Sequence, residues 1–134
     1  MKIGFTAGTF DLFHAGHVLM LEECKKICDY LIVGIQVNPK IDRPEKNKPV
    51  MSIVERQALV GSCEYVDSYI VYETEKDLED VLSFLPINIR IIGEDHKGKP
   101  ITGEEISKKR GIEIYYNKRE HRFSTTELRK RMKK

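Results

Sequence analysis

The stretch Tyr30-Leu31-Ile32-Val33-Gly34-Ile35-Gln36-Val37 constrains the fold of this chain more than any other. It is an apolar run of strand length without polar alternation. A strand with one solvated face alternates, whereas one that does not is covered on both faces, as in parallel sheets flanked by helices. The segments around it fit that setting. Residues 2–7 read as a short strand, and residues 18–28 carry apolar side chains at helical spacing. Ser52 opens a second helix, with Glu55 as its capping-box partner. Residues 65–72 read as a third strand. Residues 75–84 read as a helix, with Leu78, Val81, Leu82 and Leu85 in register and Pro86 ending it. Residues 87–93 form a fourth strand and residues 102–110 a short helix stopped by Gly111. Residues 112–116 form a fifth strand, and Ser124 or Thr125 caps a last helix through Leu128 and Met132.

Strands alternating with helices imply right-handed crossovers, hence an α/β, doubly wound, mainly parallel five-stranded sheet with helices on both faces. The 134 residues, with no repeat or linker, make one domain spanning 1–134. Ligands in such sheets bind beyond the carboxyl ends of the strands, where the strand order switches. The unusual loops, at residues 8–17, 38–49, 93–99 and 118–125, all follow strands and are expected to converge on one crevice there.

The first of these loops carries the strongest chemical signal: Gly8-Thr9-Phe10-Asp11-Leu12-Phe13-His14-Ala15-Gly16-His17. It joins strand to helix and sets two histidines at the helix mouth. Backbone N–H groups there lack intrahelical partners and the helix dipole is positive, so the turn attracts phosphate. Histidines three apart share a helix face and reach one anion. A lone histidine in this position is ordinarily a cap. Zinc would call for a third ligand and a catalytic acid, and no helical His-Glu motif supplies them. A second phosphate site follows from Arg119-Glu120-His121-Arg122-Phe123-Ser124-Thr125-Thr126, where hydroxyls and amides at another helix start lie beside arginines. Lys46-Asn47-Lys48 places two ammonium groups on a mobile-looking loop, suited to closing over polyphosphate.

These residues resemble a known family. Gly8-Thr9-Phe10-Asp11 followed by His14-Ala15-Gly16-His17 is similar to the HxGH signature of the nucleotidyltransferase superfamily. The longer form resembles its cytidylyltransferase branch, most closely the bacterial glycerol-3-phosphate cytidylyltransferases. Residues 119–126 resemble that branch's Arg-Thr-Glu-Gly-Ile-Ser-Thr-Thr motif: Arg119, Ser124, Thr125 and Thr126 match, Phe123 stands for Ile, and Glu120, His121 and Arg122 depart. Gly93-Glu94-Asp95-His96-Lys97-Gly98-Lys99 is similar to the family's Gly-Asp-Asp-Trp-Glu-Gly-Lys loop beside the nucleotide base, with His96 in place of Trp. The resemblance runs from about Ile3 to the last helix.

It implies a Rossmann-like nucleotidyltransferase that transfers CMP from CTP to a phosphorylated small alcohol such as glycerol 3-phosphate, releasing pyrophosphate. His14, His17, Lys46 and Arg119 would be catalytic. Thr9, Phe10, Asp11, Ala15, Gly16, Lys48, Gly93, Asp95, Ser124, Thr125 and Thr126 would join the histidines and Arg119 in binding the nucleotide. Asn38, Lys46 and Arg56 would bind the acceptor. Mg²⁺ would be the cofactor, carried by the triphosphate, with Asp95 as a candidate ligand. A homodimer is expected.

Composition narrows the competing readings. No apolar run approaches the roughly 18 residues of a membrane span, so membrane insertion is not expected. Three cysteines make no disulfide framework, and a cytoplasmic home is expected. Between residues 108 and 134 eleven Lys/Arg face three Glu, a local balance of +8 that leaves −6 on the rest. A basic tail of this kind suits nucleic acid, phosphate ligands or a solvated helix face. It has only Phe123 for stacking after Lys118, so nucleic acid is not expected as a partner. An adenylyltransferase using ATP, a nucleic-acid-binding module without turnover and a phosphate-binding regulator remain the alternatives.

Overall fold

The computed structural model describes residues 1–118 and 123–133. Five strands and five helices alternate: β1 (Ile3–Gly8), α1 (Ala15–Lys26), β2 (Tyr30–Gln36), α2 (Ile53–Ser62), β3 (Ser68–Tyr72), α3 (Glu75–Phe84), β4 (Ile89–Gly93), α4 (Glu104–Lys109), β5 (Glu113–Asn117) and α5 (Thr125–Met132). The sheet order is β3-β2-β1-β4-β5 and every neighbouring pair is parallel. The chain winds outward from β1 through β2 to β3, then returns across the sheet by α3 to place β4 on the other side of β1. The switch point therefore lies between β1 and β4, where the chain leaves the two strands in opposite directions and opens a crevice.

The unalternating run becomes β2, whose residues from Leu31 to Gln36 are all buried. Leu31, Val33 and Ile35 point to one face, against Leu21 and Cys24 of α1 and Val60 of α2. Ile32 points to the other, with Phe5 of β1, against Leu78 and Leu82 of α3. Each such side chain contributes about 1.5–3 kcal/mol by leaving water, and a strand buried on both faces collects that from the apolar residues of each face.

Local boundaries differ from the sequence expectation in ways that have causes. α1 starts at Ala15 rather than Val18 because His14 caps it, and it ends at Lys26. β3 starts at Ser68 rather than Tyr65. Tyr65 and Val66 lie in a turn closed by the Val66 N–H donating to the Cys63 carbonyl. Asp67 then accepts the Leu31 N–H on its side chain (2.8 Å), pairs with Lys25 (2.5 Å) and donates its own N–H to the Leu31 carbonyl (3.0 Å), and the ladder runs on from Ser68. β4 starts at Ile89, and just before it the Asn88 side chain accepts the Ile3 N–H at 2.7 Å. Residues 38–49 are not wholly irregular: Pro39–Ile41 form a single 3-10 turn. Among the described residues no helix is long and apolar enough to cross a membrane.

Candidate active site

Leaving β1, the chain turns within a few residues, and two of them, Phe10 (φ 54°) and Leu12 (φ 51°), take left-handed backbone conformations. Such conformations cost about 1–3 kcal/mol each in a bulky residue and persist only where surroundings enforce them. Phe10 is buried in the core on the α1/α2 side. Gly8 has no room for a side chain other than against the Phe10 ring, 3.2 Å from where a Cβ would sit. Asp11 supplies the second anchor. Its buried carboxylate accepts the Val50 N–H at 2.8 Å and the Met51 N–H at 2.9 Å, and pairs with Arg129 of α5 at 2.5 Å. One side chain thus fastens the turn to the entry of α2 and to α5.

The turn delivers both histidines to the first turn of α1, where they form a capping box between themselves. His14 Nδ1 accepts the Gly16 N–H at 3.0 Å, and His17 Nδ1 accepts the His14 N–H at 3.1 Å. The rings stack with centroids 3.9 Å apart, and His17 stacks on Phe13 as well. A ring nitrogen that accepts carries no proton, so each neutral imidazole keeps its hydrogen on Nε2. Burial, with the neighbouring His14 charge adding to it and Asp11 opposing it, pushes His17 down to about 3. His17 is therefore an uncharged donor at neutral pH. His14 Nε2 meets Thr125 Oγ1 at 3.2 Å, and Thr125 donates onward to the Asp11 carbonyl at 3.3 Å.

That contact brings a second helix start to the first. Ser124 caps α5, its hydroxyl accepting the Glu127 N–H at 3.0 Å. Between the helix starts lies a cavity of about 270 Å³ lined by Thr9, Phe10, Asp11, His17, Lys46, Thr125, Thr126 and Arg129, among others. Ala15 and Gly16 make the first turn of α1 beside it. Lys46 and Lys48 are both exposed, and of the two only Lys46 lines the cavity. Arg119 lies outside the described residues, as do Glu120, His121 and Arg122.

The crevice expected of the loops takes the form of two adjoining cavities, with residues 8–17 and 38–49 contributing to both. A second cavity, about 480 Å³, opens at the switch point beside Thr6, Ala7 and Gly8 of β1 and Ile91, Ile92 and Gly93 of β4, and reaches His96 and Lys99. A Cβ on Gly93 would meet Asp95 Oδ1 at 2.6 Å, so that exposed carboxylate would have to swing aside. The Asp95 side chain is 82% exposed and 3.8 Å from His96. Among the described residues no three His, Cys, Asp or Glu side chains cluster so as to hold a metal ion. The carboxylate nearest the histidines, Asp11, is already occupied by two amides and a guanidinium. The described residues therefore do not by themselves build a magnesium cage.

Arg56 is a correction. Instead of reaching toward an acceptor it is buried beneath the turn, and its donors bond backbone carbonyls: Met51 at 3.2 Å, Thr9 at 3.0 Å, Gln36 at 2.6 Å and Val37 at 2.6 Å. It ties β1's exit, β2's end and α2's entry together. Asn38 is also engaged locally, its side chain accepting the Lys40 N–H at 3.0 Å. Sequence reading missed Arg129. The available signal was its position four residues after Thr125, on the same face of α5.

A family model for the cytidylyltransferase-like proteins matches residues 5–131. The bifunctional protein HldE of Campylobacter jejuni is 33% identical over 133 residues, covering 98% of this chain and 28% of the relative. That of Caulobacter vibrioides is 30% identical, covering 98% and 27%. The chain thus spans little more than a quarter of the length of these curated relatives. Among solved structures, a lipopolysaccharide core biosynthesis protein from Thermoplasma volcanium superposes with a TM-score of 0.74 at 25% identity, over 90% of this chain and 99% of that one. Thermotoga maritima TmcAL, solved with alpha-thio ATP, shares the fold at a TM-score of 0.68 and 14% identity, over 98% of this chain and 50% of that one.

Proposed function

The chain belongs to the cytidylyltransferase-like family, and from that premise we propose that it transfers a nucleotidyl group, CMP from CTP, to the phosphate of a small phosphorylated polyol or sugar. A lipopolysaccharide core biosynthesis protein among the similar structures makes a sugar or polyol phosphate a natural acceptor class. One observation carries the reading: two helix N-termini meet at a cavity lined by the uncharged His17 imidazole, beside His14 at the cap of the same helix. Such a site is built to hold phosphate oxygens without demanding a proton from them.

In this reading an oxygen of the acceptor phosphate attacks the α-phosphorus of CTP in line. A new P–O bond forms as the bond to the β-phosphate oxygen breaks, and pyrophosphate leaves with its electron pair. The acceptor is already ionised, so no general base is needed, and catalysis is positioning plus charge stabilisation. His14 and His17 donate to the oxygens of the pentacoordinate phosphorus, with Thr125 yielding His14 Nε2 to the substrate. Thr9, Thr126 and the α5 amides hold the remaining phosphates. Lys46 and Arg119 offset charge from the loops, and Arg129 keeps Asp11 in place. Magnesium accompanies the triphosphate as its counter-ion.

Incubation with CTP or ATP in parallel, a divalent salt and a panel of phosphorylated polyols and sugars tests this. Pyrophosphate release with CTP and a CDP conjugate identified by mass are expected. Release with ATP alone would move the nucleotide assignment to an adenylyltransferase. Silence with both nucleotides across the panel, together with salt-sensitive retention of oligonucleotides, would replace the reading with a nucleic-acid-binding module.

A further inference from the structure

β4 carries an oddity. Its sequence Ile89-Arg90-Ile91-Ile92-Gly93 sets one arginine among apolar residues in the middle of the sheet. Ile89 and Ile91 face α1 and α2, so Arg90 faces the other side, where it is 6% exposed. One of its five donors is used, NH1 donating to the Thr102 carbonyl at 2.5 Å. Among the described residues no carboxylate lies within 4 Å of it; Glu75, which lines the same cavity, pairs at 3.3 Å with Arg43. The Glu75 charge acts on Arg90 from beyond ion-pair distance while engaged by Arg43, so the guanidinium is only partly compensated, and a buried charge is costly unless it is paired.

Arg90 lines the 480 Å³ cavity at the switch point. Lys99 and His96 stand on the loop over it, so beyond the neutralised Arg43–Glu75 pair its charge is positive. Burial keeps the Tyr72 phenol protonated, which makes it a further donor on this wall. The cavity adjoins the histidine cavity across the end of β1: Gly8 lines one and Thr9 the other. The triphosphate belongs to the two helix starts, and a nucleobase carries no charge to offset Arg90.

We infer that the switch-point cavity is an acceptor-selecting subsite in which Arg90 binds an oxyanion, a carboxylate or second phosphoryl group, carried by the acceptor at the end away from its reacting phosphate. The inference rests on the nucleotidyl-transfer reading for the identity of the ligand, though not for the existence of the anion site. The acceptor is then an acidic sugar or polyol phosphate rather than a simple one.

Matched acceptors test it on the full chain: glycerate 3-phosphate against glycerol 3-phosphate, gluconate 6-phosphate against glucose 6-phosphate, and fructose 1,6-bisphosphate against fructose 6-phosphate. In pyrophosphate release, the more anionic member of at least one pair is expected to be favoured by roughly 10- to 100-fold in kcat/KM. Arg90→Gln should bring that ratio close to one, and Arg90→Lys should retain part of it. A carboxylate preference and a second-phosphoryl preference separate in the first two pairs and the third. Calorimetric titration of gluconate 6-phosphate and fructose 1,6-bisphosphate into nucleotide-free protein reads binding without turnover, with melting curves to confirm that the variants fold. Turnover without preference in any pair, and titrations that Arg90→Gln leaves unchanged, overturn the subsite while nucleotidyl transfer stands. No turnover by any acceptor, with a titration that Arg90→Gln abolishes, overturns the transfer reading and supports the anion site. The wild-type pair ratios need no variant to fold.

Discussion

At the scale of single residues the site depends on two imidazoles whose protons are placed by the backbone. Because each Nδ1 is committed to an N–H, the outward nitrogen of each ring is a donor. His14→Ala removes one such donor and a helix cap together. Donors aimed at developing phosphate charge are worth about 10²–10³ in rate, so kcat should fall by that order while nucleotide affinity changes far less. Steady-state kinetics beside equilibrium nucleotide binding checks this, and equal losses in both would point to plain binding. His17 also leaves a mark on stability. It is held down to about 3 in the fold against an ordinary 6.5 when unfolded. Between those values the unfolded chain binds the extra proton, so stability falls as pH falls. The slope is about 1.4 kcal/mol per pH unit from this side chain. Urea unfolding at pH 7.5, 6 and 5 should show that His17→Asn, which keeps an acceptor for the His14 N–H, has a shallower acid loss than the parent. The two histidines at the start of α1 were legible in the sequence as residue types and spacing. Their mutual capping was not: it depends on ring orientation fixed by Phe10, Phe13 and Asp11, and spacing carries no information on that.

At the scale of elements, local signals were read well where they were local. The Ser52–Glu55 box is present, Ser52 Oγ accepting the Glu55 N–H at 3.2 Å and Glu55 accepting the Ser52 N–H at 2.9 Å. Its hydrogen bonds to Ser52 hold the Glu55 carboxyl below its usual range. Ser52→Ala should cost about 1 kcal/mol, seen as an earlier denaturant midpoint with an unchanged slope. Strand existence was equally legible, since five apolar runs between turn-forming residues became five strands. Strand starts were less so. Tyr65 and Val66 pack on the core like strand residues, yet the Val66 N–H closes a turn onto the Cys63 carbonyl, which periodicity does not register. α5 is the extreme case. It has no buried residue and joins the body through Thr125 and Arg129, contacts made over more than a hundred residues of sequence and invisible to any local pattern.

For the whole molecule, alternation of strand and helix was sufficient to imply the parallel sheet, and a cavity opens at the carboxyl ends of β1 and β4. What did not follow was the division of that end into two cavities, or the burial of two arginines. Charge patterning puts a guanidinium at the surface by default, and Arg56 and Arg90 are inside for opposite reasons, one with its donors filled by carbonyls and one with most of them open. Arg56 joins three parts of the fold with four hydrogen bonds. Arg56→Leu should leave several carbonyls unsatisfied and cost about 3–5 kcal/mol, lowering the melting temperature by roughly 10 °C or more in a domain of this size. Asp11 has a comparable reach, since it secures both the α2 entry and the C-terminal helix. Hybrids that import either segment from another protein would therefore have to import its counterpart as well: a borrowed tail without a guanidinium at position 129 would strand a buried negative charge under the histidines.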